Sequence, residues 1–79
     1  MKPPLHAKRL RALLRQANWR DEQLAVEAAV SARTISDIRR GCTRSVRPAT
    51  ARCIAAAFSA ELKRPVTPEY IAGDPTAEH

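Results

Sequence analysis

Aromatic residues, glycine and long apolar runs are all scarce in this sequence of 79 residues. It contains one Trp, one Tyr, one Phe and two Gly, and its apolar residues are mostly Ala and Leu. That composition suits close-packed helices better than sheets. A chain this short can bury only a limited core, which argues against a deep enzymatic cleft. We therefore expect one small all-α domain.

The sequence also lacks the marks of a membrane, metal or catalytic protein. It has no run of about 18 apolar residues and no apolar signal-peptide core at its N-terminus, so we expect a cytoplasmic protein with no membrane contact. Cys42 and Cys53 have no neighbouring Cys or His to complete a metal site, and we expect structural thiols. His6 and His79 lie in terminal segments without a nucleophile or metal-ligand companion. We expect no enzymatic activity, no metal and no cofactor.

Positive charge is concentrated in the first part of the chain. Residues 1–47 hold 11 Lys or Arg against 4 acids, a net charge of +7, whereas residues 48–79 hold 3 against 4, a net charge of −1. Such a division is typical of a one-sided surface that binds a polyanion, because phosphates neutralise like charges that would otherwise repel one another. The alternative is a solvated face that only keeps the protein soluble.

The spacing of apolar residues predicts two helices in the first third of the chain. The first spans residues 5–17, with its apolar side chains on one stripe and Lys8, Arg9, Arg11 and Arg15 at the other positions. Asn18 either ends this helix in a left-handed conformation or caps the next one. The second helix spans about residues 21–28, and the acids at its start suit the helix dipole. Trp19 is expected to cover the core rather than to stack on bases.

Caps and helix breakers predict three further helices. Ser31 is an N-cap for a helix that ends at Gly41, with Ile35 and Ile38 facing inward. This leaves a polar outer face made of Ala32, Arg33, Ser36, Asp37 and Arg40.

Proline positions and a cap place the last two helices. Pro48 opens the fourth helix, which breaks at residues 63–66, and Thr67 caps a short fifth helix. We expect the domain to cover residues 1–72 and a flexible tail to cover residues 73–79.

Two short helical patterns joined by a tight turn, over residues 21–41, carry a specific set of side chains. Leu24-Ala25, Val30-Ser31 and Thr34-Ile35-Ser36 resemble the Leu-Ala, the Val-Ser turn and the Thr-Ile-Ser of the Cro and cI-repressor type of helix-turn-helix, the XRE family. Ile38 and Gly41 also match, and downstream Pro48-Ala49-Thr50 and the segment 54–58 are similar to the family's next helix. The resemblance covers about residues 8–72 and implies a compact, lambda-repressor-like bundle of about five helices.

The resemblance implies that the helix at residues 31–40 enters the major groove of DNA. The positions that meet base edges in this family are Ala32, Arg33, Ser36 and Asp37. Arg33 is expected to make a bidentate contact to guanine, and Ala32 to touch a thymine methyl. Asp37 either accepts a hydrogen bond from cytosine or orients Arg33 through an i, i+4 pair. Phosphate contacts are expected from Arg20, Gln23, Arg40, Thr43, Arg44 and Arg47.

Three positions depart from the family's pattern. Asp21 replaces a Gln that touches phosphate, and its charge would repel one unless Arg20 or Gln23 compensates. Ala29 replaces the turn glycine, at a strain of roughly 1 kcal/mol if the left-handed conformation is kept. Arg39 replaces an acid, which is expected to remove an internal ion pair and to add positive charge.

These features predict a sequence-specific, double-stranded DNA-binding transcriptional regulator. We expect a phage-type or prokaryotic repressor that acts as a homodimer on a palindromic site. The alternative is an antitoxin, or a phage recombination or assembly factor, that uses the same helix-turn-helix for a protein partner as well as for DNA. Such a partner would be a toxin, an integrase or another regulator.

Overall fold

The structure is a computed structural model that describes residues 4–74 and residue 76. This part of the chain is all-helical, as predicted, and contains five helices in the predicted order. They are α1 (Leu5–Ala17), α2 (Asp21–Ala28), α3 (Ala32–Arg40), α4 (Pro48–Leu62) and α5 (Pro68–Ile71). Within the same residues, no helix has both the length and the apolar character needed to cross a bilayer.

Each helix turns one apolar stripe toward a shared core. Helix α4 packs against α1, α2 and α5, and α3 packs against α1 and α2. The largest fully buried side chains come from all five helices: Leu10, Leu13, Leu24, Ile35, Ile38, Ile54, Phe58 and Ile71. Trp19 lies over Phe58 with ring centroids 5.5 Å apart, which confirms that it covers the core.

Four of the helices end in the same backbone motif. The left-handed residue directly follows the helix at Asn18, Ala29 and Gly41, and at the end of α5 it is Gly73, two residues after Ile71. In each case its N–H bonds to the carbonyl three residues back, and the next N–H bonds to the carbonyl five residues back. This is the Schellman motif, which satisfies carbonyls that a helix end leaves without partners. Asn18 therefore ends α1 and does not cap α2, whose N-cap residue is Arg20.

Two polar side chains of α1 are buried, which corrects the prediction that Arg9 lies outside the core stripe. Arg9 is 3% exposed and His6 is 5% exposed. The Arg9 guanidinium lies 4.3 Å from the centroid of the Tyr70 ring, and its Nη1 donates to the carbonyls of Tyr70 (3.1 Å) and Asp74 (2.8 Å). Helix α5 and the segment after it cover this side of α1, and the charge-assisted hydrogen bonds offset the burial of the cation.

The same contacts bring the start of the predicted tail against the bundle. Gly73 packs so closely on α1 that a Cβ there would lie 3.1 Å from the backbone nitrogen of His6. The Asp74 N–H bonds to the carbonyl of Glu69. The first two residues of the predicted tail thus contact the domain, while residues 75 and 77–79 lie outside the described residues.

Both cysteines are exposed free thiols. Cys42 follows the end of α3 and Cys53 lies on the outer side of α4. Neither contributes to the core, which corrects the expectation of structural thiols.

Candidate nucleic-acid interface

Helices α2 and α3 are joined by a turn of three residues, 29–31. The turn combines the left-handed Ala29 (φ 56°) with Ser31, whose Oγ accepts a hydrogen bond from the Thr34 N–H at 3.1 Å. The side-chain cap satisfies a donor at the start of α3, so the helix can begin immediately after the turn. Ile35 and Ile38 then hold α3 on the core and leave its opposite side to solvent.

The four predicted base-reading positions lie together on α3. Ala32 and Arg33 are exposed, and Ser36 and Asp37 are half-buried. The Arg33 side chain is 91% exposed, with its Nε 4.0 Å from Asp37 Oδ2. Asp37 Oδ1 also lies 3.4 Å from Arg40 Nη2. Surface pairs at these distances hold a guanidinium only weakly, so Arg33 is accessible to a ligand in front of α3.

The loop from residue 42 to residue 47 places further predicted contacts beside α3. Arg44 and Arg47 are exposed, whereas Thr43 is half-buried. A groove of about 400 Å³ runs between α3, this loop and the start of α4. Its lining is mainly polar and includes Thr34, Asp37, Thr43, Ser45, Arg47 and Thr50. Hydroxyl groups and an arginine at one edge of α3 are suited to hydrogen bonds with phosphate oxygens.

A second depression lies at the start of α2. It has a volume of about 340 Å³, and its lining combines Arg11, Arg20 and Arg39 with the acidic residues Asp21 and Glu22. No side chain among the described residues caps this end of α2. Free backbone N–H groups and the exposed Arg20 favour an anion here, whereas the carboxylates of Asp21 and Glu22 oppose one. Arg20 is exposed at this end of α2, and its phosphate contact stays a prediction.

Gln23 is less well placed for phosphate than Arg20. Its side-chain amide donates to the carboxylate of Glu27 at 2.9 Å. This i, i+4 hydrogen bond directs the side chain along α2, away from the helix start. The predicted role of Gln23 requires that hydrogen bond to break.

The expectations for Asp21 and Arg39 are corrected together, because the two residues form an ion pair. Arg39 Nε lies 2.9 Å from both carboxylate oxygens of Asp21. The side chains are 37% exposed for Arg39 and 17% exposed for Asp21. The fold brings the start of α2 beside the end of α3, so each charge also complements the dipole of its own helix. Arg39 thus forms an internal ion pair instead of removing one, and it neutralises the carboxylate expected to repel phosphate.

The hydrogen bonds that connect α1 to the end of α3 had no signal in the sequence. Arg11 Nε donates to the carbonyl of Arg39 at 2.9 Å, and His6 Nε2 lies 3.0 Å from the carbonyl of Thr43. These partners are 28 and 37 residues apart. Neither periodicity nor local spacing reports contacts between backbone carbonyls and side chains so distant in sequence.

Two further observations bear on the chemistry available to this surface. Within the described residues, no group of three or more His, Cys, Asp or Glu side chains is placed to hold a metal ion. Comparison with models of known protein families, with curated proteins and with solved structures gives no match for this chain. The functional interpretation therefore depends on the geometry and charge described above.

Proposed function

We propose that this protein is a sequence-specific, double-stranded DNA-binding transcriptional regulator that inserts α3 in the major groove. The observation that carries the proposal is the exposure of Arg33 in the first turn of a helix anchored from behind by Ile35 and Ile38. An α-helix fits a groove about 12 Å wide, and an arginine in its first turn can make a bidentate contact to guanine O6 and N7.

The distribution of the remaining arginines supports the same orientation. Arg40, Arg44 and Arg47 are exposed at and beyond the C-terminal end of α3, and Arg20 is exposed at the start of α2. Phosphates on the two edges of a major groove would meet these groups while α3 lies between them. Because Arg9 is buried and Arg39 is paired with Asp21, neither is counted among the phosphate contacts. About four phosphate contacts per protomer predict a slope of about −3.6 per bound protomer in log K against log salt concentration, and about −7 for a homodimer.

Selection from random duplexes tests sequence specificity. We expect the bound pool to converge on a defined motif, and a palindromic motif with half-sites about one helical turn apart would support a homodimer. Affinity measured by gel shift against competitor DNA should then be higher for the selected duplex than for random duplexes. Equal affinity for all sequences would refute the proposal of specific binding.

Arg33→Ala and Arg44→Ala separate base reading from phosphate binding. Arg33→Ala should weaken binding to the selected duplex by about 1–3 kcal/mol and leave random DNA nearly unaffected. Arg44→Ala should weaken binding to every duplex and lower the salt slope by about one unit. Equal losses on both DNAs would show that Arg33 only touches phosphate, and an unchanged slope would remove Arg44 from the interface.

Arg64→Ala is the matched control for charge. Arg64 follows α4, a helix of 15 residues and therefore about 22 Å long, whereas Arg47 precedes it. The side chain of Arg64 hydrogen-bonds to Gln16, in the last turn of α1. Removing this charge should change affinity and salt slope much less than removing Arg44.

A further inference from the structure

The loop of residues 42–47, between α3 and α4, has little structure of its own. The Cys42 N–H closes the Schellman motif of α3. Among the described residues, no backbone N–H from Thr43 to Arg47 donates to another backbone carbonyl. The carbonyl of Arg47 accepts a hydrogen bond from the Ala51 N–H at the start of α4 (2.8 Å). The position of Arg44, in contrast, depends on contacts that other elements make with this loop.

Two contacts hold the loop on the domain. Val46 is buried in the core at 7% exposure. The carbonyl of Thr43 lies 3.0 Å from Nε2 of His6, which comes from the first turn of α1 and is 5% exposed. A carbonyl can only accept, so this contact requires a proton on Nε2. Arg44 lies between the two anchors, and Arg47 follows the second.

We infer that His6 is a positioning residue for the phosphate contacts of this loop, an inference that rests on the proposed function. Its buried imidazole donates to the Thr43 carbonyl and holds it in place, which orders Arg44 before DNA arrives. Without that donor the carbonyl loses its partner, and between the two helix ends the loop keeps only the Val46 anchor. The side chain and backbone of Arg44 would then become ordered only on binding DNA, and the entropic cost of that ordering would lower the affinity.

The first experiment examines the contact in the wild-type protein without DNA. Long-range ¹H–¹⁵N correlation spectra of the His6 ring should show a protonated Nε2, and its proton should exchange slowly with solvent. An unprotonated Nε2 would overturn the inference, because the hydrogen bond to Thr43 would not exist. This result does not depend on whether the protein binds DNA.

The second experiment measures DNA binding by three variants, at temperatures well below their unfolding transitions. His6→Leu removes the donor and His6→Gln retains an N–H. Arg9→Lys is the matched control, because Arg9 is also a buried polar residue of α1 that donates to backbone carbonyls, but to those of Tyr70 and Asp74. We expect His6→Leu to weaken binding to selected and random duplexes by about two- to tenfold, the cost of ordering one long side chain. Its salt slope should fall by up to about one unit. His6→Gln should restore much of the affinity and much of the salt slope.

A double variant distinguishes positioning from a general loss of stability. Because His6 acts through Arg44, adding His6→Leu to Arg44→Ala should reduce affinity much less than it does in the wild type. Backbone ¹⁵N relaxation should show lower order parameters at residues 43–47 in His6→Leu but not in Arg9→Lys.

Other outcomes would overturn the inference. They are unchanged binding by His6→Leu, the same losses in Arg9→Lys, or full additivity with Arg44→Ala. If His6→Leu does not fold, the ring spectra and the DNA affinity of the His6→Gln variant test the inference. A wild-type protein that binds no DNA would refute the proposed function, while the ring spectra and the backbone order parameters would still test the anchoring by His6.

Discussion

Replacing Ala29 by glycine should stabilise the protein, because this residue ends α2 in a left-handed conformation at φ 56° and ψ 41°. The conformation is held by the Schellman hydrogen bonds of Ala29 to Val26 (3.3 Å) and of Val30 to Ala25 (3.0 Å). For a residue with a Cβ it costs about 1–2 kcal/mol, which glycine does not incur. Glycine loses more conformational freedom on folding, a cost of about 0.5–1 kcal/mol.

The difference between the midpoints of these two ranges favours Ala29→Gly by about 0.75 kcal/mol in the free energy of unfolding. Ala29 is exposed, so the removal of its methyl group creates no cavity. For a domain of this size the expected rise in Tm is about 2–8 °C. Urea and thermal unfolding followed by far-UV circular dichroism measure both quantities.

The matched control is Ala56→Gly, the same chemical change at an exposed position inside α4. There the backbone is helical, and glycine should lower the free energy of unfolding by about 0.5–1 kcal/mol. The two variants should therefore differ in sign. A destabilised or unchanged Ala29→Gly beside a destabilised Ala56→Gly would refute the left-handed strain at Ala29.

Three further substitutions test the helix ends and the charges near them. Gly41→Ala should lower the free energy of unfolding by at least about 1–2 kcal/mol in urea titrations, because φ is +76° and a Cβ would lie 2.8 Å from a proline Cδ. Asp21→Ala should lower the free energy of unfolding by about 1 kcal/mol. A double-mutant cycle with Arg39→Ala should show a coupling of about 0.5–1 kcal/mol, because the arginine is partly solvated. A zero coupling would contradict the ion pair. The backbone N–H and the hydroxyl of Thr76 donate to Asp74 and lower its pKa below 3.8. The ionised carboxylate should therefore contribute to the free energy of unfolding above pH 3.8, and this contribution should be lost as the pH falls through the lowered pKa. Asp74→Asn should remove this part of the pH dependence of stability.

The helices could be read from the sequence because their signals are local. Apolar spacing, Ser31 and Thr67 as caps and Pro48 at a helix start all act within a few residues of the helix ends that they define. The outer face of α3 followed from the same periodicity, once Ile35 and Ile38 had been assigned to the core. The DNA-binding role of that face stays a prediction, and the structure supplies the exposure and surroundings of its side chains.

The roles of Arg9, Arg39 and His6 had to come from the tertiary structure. All three are basic or polar side chains, which a helical pattern assigns to the solvent side. The sequence alone does not distinguish a solvated side chain from a side chain that has a partner far along the chain. Arg39 meets Asp21 across 18 residues, His6 meets Thr43 across 37, and Arg9 meets Asp74 across 65.

The sequence thus determined the helices, their ends and the side of α3 that faces outward, since these depend on periodicity and on neighbouring residues. The tertiary structure decided which basic residues remain available to a polyanion and which of them hold the fold together. It did so because burial and pairing depend on the helices that pack around each side chain, and not on the residues beside it in the chain.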